Sequence, residues 1–206
     1  NQGLEFSLTY RPIVTKDRRW EVGYNLTYND NKIDKLVASD DPNYKILHGG
    51  LAVGDSGSDG IQAWAVGHPV SAYYTYQQVY DQNGLPIEGE FVDRNGDGII
   101  NSNDRYFYKK ADADVLMGFT SKLIYKNWDF SFSLRASLGN YAYNAVDAGN
   151  SNVEVERLYN GSSWHNVPTM VLEKKWNYVS TEDGLSDYFI QNASFLKCDN
   201  ITVGYS

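Results

Sequence analysis

The chain is poor in the residues that most often mark chemistry. It has one cysteine, Cys198, in 206 residues. That excludes an internal disulfide framework and leaves no second thiolate for a metal site. Only three histidines occur, His48, His68 and His165, far apart and without ligand spacing. There is no G-x-S-x-G elbow, no Cys/His set and no phosphate loop, so no enzyme constellation is present. Basic residues are outnumbered, 18 against 26 acidic, for a net charge of -8. A nucleic-acid partner needs a basic stripe, and none is visible. No run approaches the ~18 apolar residues of a membrane helix. That leaves membrane β-strands open, because they need only ~9–11 residues with every second one apolar.

What the chain has instead is aromatic and turn-forming. Tyr (17) and Gly (18) are abundant and aromatics make up 15%, a mix that favours strands and turns over helices. The chain starts at Asn1 without Met, which reads as a processed chain or a piece of a longer one.

Alternation of period two appears four times in clear form. Leu4, Phe6, Leu8 and Tyr10 face away from Glu5, Ser7 and Thr9. After a turn at Lys16-Asp17-Arg18, Trp20, Val22, Tyr24, Leu26 and Tyr28 alternate with polar residues. A third run carries Met117, Phe119, Leu123 and Tyr125; a fourth, after Lys126-Asn127, carries Trp128, Phe130, Phe132, Leu134, Ala136 and Leu138. A shorter piece holds Ile201, Val203 and Tyr205. The connections run short, long, short, long, with the long ones at about 30–114 and 139–193. Short turns on one side and long loops on the other are the plan of an up-and-down outer-membrane barrel. Ten residues at ~3.3 Å, tilted about 40°, climb roughly 25 Å, the height of the lipid-facing band. Tyr10 and Trp20 flank the first short turn, Tyr125 and Trp128 the second, as an interfacial girdle requires. The opposite faces carry Glu5, Glu21, Lys122, Asp129 and Arg135, which suits a wet lumen. The expected fold is therefore all-β and antiparallel, a partial barrel wall with two long external loop segments. A soluble β-sandwich carries the same alternation and stays open at this point.

One stretch has the spacing of a calcium loop. Asp93, Asn95, Asp97, Asn101 and Asp104 stand at positions 1, 3, 5, 9 and 12, Gly98 at position 6, and Ile99 offers its carbonyl at position 7. Ca²⁺ takes six to eight hard oxygens, so this set suits it, although position 12 is Asp where an EF-hand has Glu. A polar Asn-Gly/Asp-Gly turn is the alternative. Trp64, Tyr73, Tyr74, Tyr76 and Trp164 fall on the long segments; their flat rings could stack on a glycan or pack the loops together.

Several segments in order resemble the SusC/RagA-like family of TonB-dependent outer-membrane transporters. They are Val66-Gly67-His68-Pro69 to Tyr74, Asn83-Gly84-Leu85-Pro86, and Asp93 through Gly98 closed by Asp104-Arg105. Then come the Tyr125-to-Ser131 hairpin, Gly139-Asn140, Tyr188-Phe189-Ile190, Ala193 to Lys197 and Asn200 to Ser206. The resemblance implies the C-terminal part of a large barrel in the cell outer membrane. It implies a plug elsewhere in the protein, TonB-driven uptake of oligosaccharides or other bulky nutrients, and a SusD-like surface lipoprotein as lid. The competing account is a secreted, soluble, calcium-dependent carbohydrate-binding or adhesion β domain.

Overall fold

The computed structural model describes residues 1–37, 39, 41, 43–50, 60–150, 173, 176 and 181–206. The strands, in chain order, are β1 (Gln2–Val14), β2 (Arg18–Asp30), β3 (Ile46–His48), β4 (Gln62–Trp64), β5 (Ala72–Thr75), β6 (Gln78–Tyr80), β7 (Pro86–Phe91), β8 (Tyr106–Lys110), β9 (Val115–Tyr125), β10 (Trp128–Leu138), β11 (Tyr141–Tyr143), β12 (Ile190–Asn192) and β13 (Phe195–Tyr205). Helix among the described residues includes α1 (Ala145–Asn150), α2 (Thr181–Gly184), Glu173 and two 3-10 turns. The chain divides into two compact units. One comprises 1–31, 112–141 and 192–206; the other comprises 32–111 and 142–191.

The first unit is one antiparallel sheet of five strands in the order β1-β2-β9-β10-β13. Its register aligns the apolar residues into rows. Leu8, Tyr24, Phe119, Leu134 and Cys198 share one row; Tyr10, Val22, Ser121, Phe132 and Ile201 share the next. Each strand gives alternate residues to this face, because successive side chains point to opposite sides of a pleated strand. Two features hold polar atoms on the apolar face. The Trp20 indole Nε1 donates to Ser121 Oγ at 3.0 Å, and the Tyr24 hydroxyl lies 3.4 Å from Met117 Sδ. The other face carries charge. Glu21 accepts from Arg11 Nε at 2.6 Å with Arg19 at 3.8 Å, and Arg135 pairs with Asp199 at 3.1 Å.

Two bulges modify the expected strands. In β1 the register shifts between Tyr10 and Ile13, so Ile13, not Pro12, lies opposite Trp20, and Tyr10 pairs Val22. Pro12 falls inside that irregularity, where it has no partner on β2 and its missing amide breaks no regular β1–β2 pair. In β13 the register shifts where Ser133 pairs Asn200 but Leu134 pairs Cys198, so Asp199 is an extra residue. The strand therefore begins at Phe195, five residues before the alternation in the sequence becomes readable. The apolar row simply changes phase there, from Leu196 and Cys198 to Ile201 and Val203.

The apolar face is uncovered: β1 is exposed at every position, on this face as on the polar one. Phe6 is 48% exposed, Leu8 51%, Ile201 67% and Val203 63%. A soluble sandwich would bury this stripe against a second layer; here large apolar side chains across the sheet stand in the open, as a lipid-facing wall requires. The sheet is not closed, and β1 and β13 are its edges.

The second unit is built differently. A small sheet, β3-β4-β5-β8, lies in it with a separate β6-β7 hairpin. Strand β5 is buried at every position, so it shows no alternation of polarity. A cluster of Ala148, Trp176 and Phe189, flanked by Tyr143 and Tyr188, forms a further packed centre. The Trp176 and Phe189 rings meet edge-on with centroids 6.0 Å apart, and the buried indole donates to the Pro86 carbonyl at 2.8 Å.

Candidate functional site

The calcium-type loop leads from β7 into β8. Gly96 and Gly98 take φ of 73° and 82°, a left-handed conformation that suits glycine. The loop closes on itself through its own amides. Asp93 accepts from Gly96 N at 2.6 Å and from Gly98 N at 2.8 Å. Asn95 Oδ1 accepts from Asp97 N, and Asp97 Oδ1 from Ile99 N. Asp97 Oδ2 accepts from Asn95 Nδ2 at 2.8 Å, and the Ile99 carbonyl accepts from Asn101 Nδ2 at 3.2 Å. Asp104 is wholly buried. Its carboxylate takes the amides of Arg94, Asn95 and Asn101 and completes a capping box with Asn101 on the 3-10 turn Ser102–Asp104. The Asn101 amide first, then those of Arg94 and Asn95, hold this carboxyl below the usual range against the opposing push of burial.

In kind, the donors fit a hard cation: all are oxygens, with no soft ligand among them. Their present partners are amides. Among the described residues no three His, Cys, Asp or Glu side chains gather closely enough to hold a metal.

Arg105, next to Asp104, anchors the loop to the small sheet. Its buried guanidinium donates from Nη2 to the Gly60 carbonyl at 2.6 Å and to the Tyr74 carbonyl at 2.5 Å, with Nε also on Tyr74 O at 3.2 Å. It lies 4.6 Å from the Tyr74 ring centroid. The neighbouring loop cation, Arg94, covers the Tyr106 ring at 4.3 Å and donates to Gln77 Oε1 at 2.7 Å.

A second network joins residues about a hundred positions apart within this unit. Tyr76 N donates to Leu185 O and Asp187 N donates to Tyr76 O, both at 2.9 Å. The Gln78 amide nitrogen Nε2 reaches three carbonyls, Ile87 at 2.7 Å and Val79 and Glu90 at 3.1 Å, so one of its two hydrogens is shared. Gln78 Oε1 accepts from Ser186 Oγ at 2.7 Å. Asp187 accepts from Gln78 N at 3.0 Å and from the Tyr106 hydroxyl at 2.7 Å. Burial first, and that bond to Asp187 second, push the Tyr106 phenol upward. Asp183 accepts from Gly89 N at 2.8 Å.

The aromatic residues expected on the long segments are placed unevenly. Tyr73, Tyr74 and Tyr76 are 4%, 7% and 6% exposed. Tyr74 meets Phe107 and the Arg105 guanidinium, Tyr76 stacks on Phe91 at 4.8 Å, and the Tyr73 hydroxyl accepts from Tyr143 N. Their faces are covered by protein, because β5 runs through the middle of the unit. Trp64 is 38% exposed and lies 4.8 Å from the His48 ring. Trp164 and His165 lie outside the described residues. Gln78, Ser186 and Asp187 were not singled out from the sequence, and Arg105 appeared there only in the Asp104-Arg105 pair that closes the loop, without a role as anchor.

The first unit defines a class: a stretch of outer-membrane barrel wall whose strands are joined alternately by short turns and long folded excursions. The comparisons agree. No family model matches the chain. It is 49% identical over all 206 of its residues to the TonB-dependent receptor SusC of Bacteroides thetaiotaomicron, covering 20% of that protein. It is 27% identical over 224 aligned positions to the TonB-dependent receptor P3 of Formosa agariphila, covering 21% of it. A solved structure of the RagAB peptide transporter shares the fold, with a TM-score of 0.64 over 98% of this chain and 22% of that one, at 18% identity. Over its whole length the chain belongs with the SusC-like TonB-dependent receptors. It spans about a fifth of the length of the curated relatives it matches.

Proposed function

We propose that the protein carrying this chain is an outer-membrane, TonB-dependent nutrient receptor, and that the chain supplies part of its wall and of its outer loops. The observation that supports this most is the exposed apolar face of the five-stranded sheet in a chain 49% identical to SusC throughout. In this reading β1 and β13 pair with further strands, and the charged face lines the lumen. The relatives are named as receptors and transporters, so the cargo is bound and moved unchanged. Oligosaccharide is the proposed cargo, with a SusD-like lipoprotein as lid and TonB as energy source. The test is uptake of labelled oligosaccharides and labelled peptides by energised cells with and without the intact gene. Gene-dependent oligosaccharide uptake is the expected result. Gene-dependent uptake of peptides alone would move the cargo to peptide, and uptake independent of the gene would sink the transporter reading.

Calcium in the Asp93–Asp104 loop is the second part of this reading. Asp93, Asn95, Asp97, Asn101, Asp104 and the Ile99 carbonyl would hold it, and the ion would supply a fixed local charge that braces the loop. No step of transport runs through it. Calorimetric titration of the intact receptor with Ca²⁺ should give one saturable site that Asp93→Asn with Asp97→Asn removes. Identical heats in both proteins would leave the loop a turn closed by its own amides.

A further inference from the structure

The short-turn end of the sheet carries two cations that the wall itself does not require. Arg18 lies directly opposite Tyr125 in the register, and Tyr125 is opposite Trp128, which is opposite Tyr205. These four residues are the last row of the lipid-facing stripe. The Arg18 guanidinium stands 5.1 Å from the Tyr125 ring centroid, and the Lys126 ammonium stands 5.6 Å from the same ring. Both residues are exposed, and among the described residues neither head group is in an ion pair. One aromatic ring thus gathers two positive charges at the edge of an apolar band, in a chain whose net charge is -8.

Lys126 also occupies an unfavourable backbone position. Its φ is +52°, a region that an L side chain enters at a cost and that glycine enters freely. Its amide donates to the Asp17 carbonyl at 2.7 Å, which ties the two short turns together. Glycine would serve that turn at least as well; what lysine adds is the charge.

We propose that Arg18 and Lys126, set against Tyr125, Trp128 and Tyr205, form a site for the phosphate of an anionic phospholipid headgroup at the short-turn rim. This rests on the barrel-wall reading given above. The chemistry fits at each point. Aromatic rings with polar edges lodge at the headgroup level. Long basic side chains reach outward from an apolar surface to the interface. Guanidinium forks match phosphate oxygens, and ammonium groups neutralise them. Asp17, next to Arg18, is outnumbered in the two turns by Lys16, Arg18 and Lys126, and the paired Arg19–Glu21–Arg11 set lies on the other face, so this rim keeps a local excess of positive charge.

The intact receptor, purified in detergent, is titrated with phosphatidylglycerol and, separately, with phosphatidylcholine of the same acyl chains. Bound lipid is counted by native mass spectrometry. Wild type should bind phosphatidylglycerol in preference, and Arg18→Gln with Lys126→Gly should weaken that binding about tenfold or more while leaving phosphatidylcholine unchanged. The glycine relieves the turn, so lost folding does not explain the effect. Lys122→Gln, which removes a charge from the polar face of the same strand, should leave the preference intact. Equal binding of the two lipids by wild type, or an unaltered preference in the double variant, overturns the proposal. A receptor that takes up neither lipid and needs no detergent overturns the wall reading as well.

Discussion

Replacing Arg105 by Met should open the small sheet of the second unit. Arg105 is 6% exposed, and its guanidinium bonds two main-chain carbonyls, Gly60 O and Tyr74 O. Met keeps the stem and removes the donors. A hydrogen bond to a charged group contributes about 1.5–3 kcal/mol. The contact with the Tyr74 ring adds about 1–2 kcal/mol where water is excluded. Removing a buried charge returns part of its desolvation cost, so the net loss is roughly 3–5 kcal/mol. Little can relax to fill the gap, since a Cβ at Gly60 would already collide with the His48 backbone. Native-state hydrogen exchange on the intact receptor is the assay. The amides of Tyr74, bonded to Ile61 O, and of Tyr76, bonded to Leu185 O, should lose roughly a hundredfold or more of their protection. Arg105→Lys should fall between, because an ammonium keeps the charge but has no second donor in place of Nε on Tyr74 O and no planar group to lie over the Tyr74 ring. Protection in the Met variant within about threefold of wild type would refute the assignment of Arg105 as the anchor.

Other consequences are sharper in sign than in size. Gln78→Leu removes the group that satisfies three carbonyls and leaves the Ser186 hydroxyl proton without its acceptor, although Ser186 Oγ still accepts from Tyr188 N; a loss of about 2–4 kcal/mol is expected by chemical denaturation, and Ser186→Ala should lose less. Leu134→Arg puts a charge in mid-strand on the lipid face, costing about 2–4 kcal/mol, and should lower the folded fraction seen as heat-modifiable mobility on gels. His48 and His68 are both pushed below the ordinary value of 6.5 by burial, His68 also by Lys45. Their neutral forms are favoured in the fold, so the stability they hold is present above pH 6.5 and is lost as pH falls below it. His48→Gln with His68→Gln should flatten stability between pH 7 and 5 relative to wild type, and an unchanged slope would show that neither ring is held neutral by the fold.

Period-two alternation by itself determined the wall. Strands β2, β9 and β10 could be read because one face meets an apolar medium and the other a polar one, and an unbroken ladder keeps that pattern in phase. Where a bulge inserts one residue, at Asp199 in β13, the phase slips and half of the strand disappears from the pattern. The bulge near Pro12 likewise slips the phase of β1 by one residue, so that Ile13 stands where Pro12 would have faced Trp20. The loop from Asp93 to Asp104 was legible because turn and capping chemistry is local. Tertiary structure alone decided the interior of the second unit. Strand β5 is covered on both faces, so polarity along it carries no period, and the sequence left Tyr73, Tyr74 and Tyr76 open between stacking on a glycan and packing the loops; the surrounding strands bury all three. Gln78 with Ser186, and Tyr106 with Asp187, are joined across 108 and 81 residues. No local pattern encodes such a pairing, because each partner's geometry is set only once the chain between them has folded.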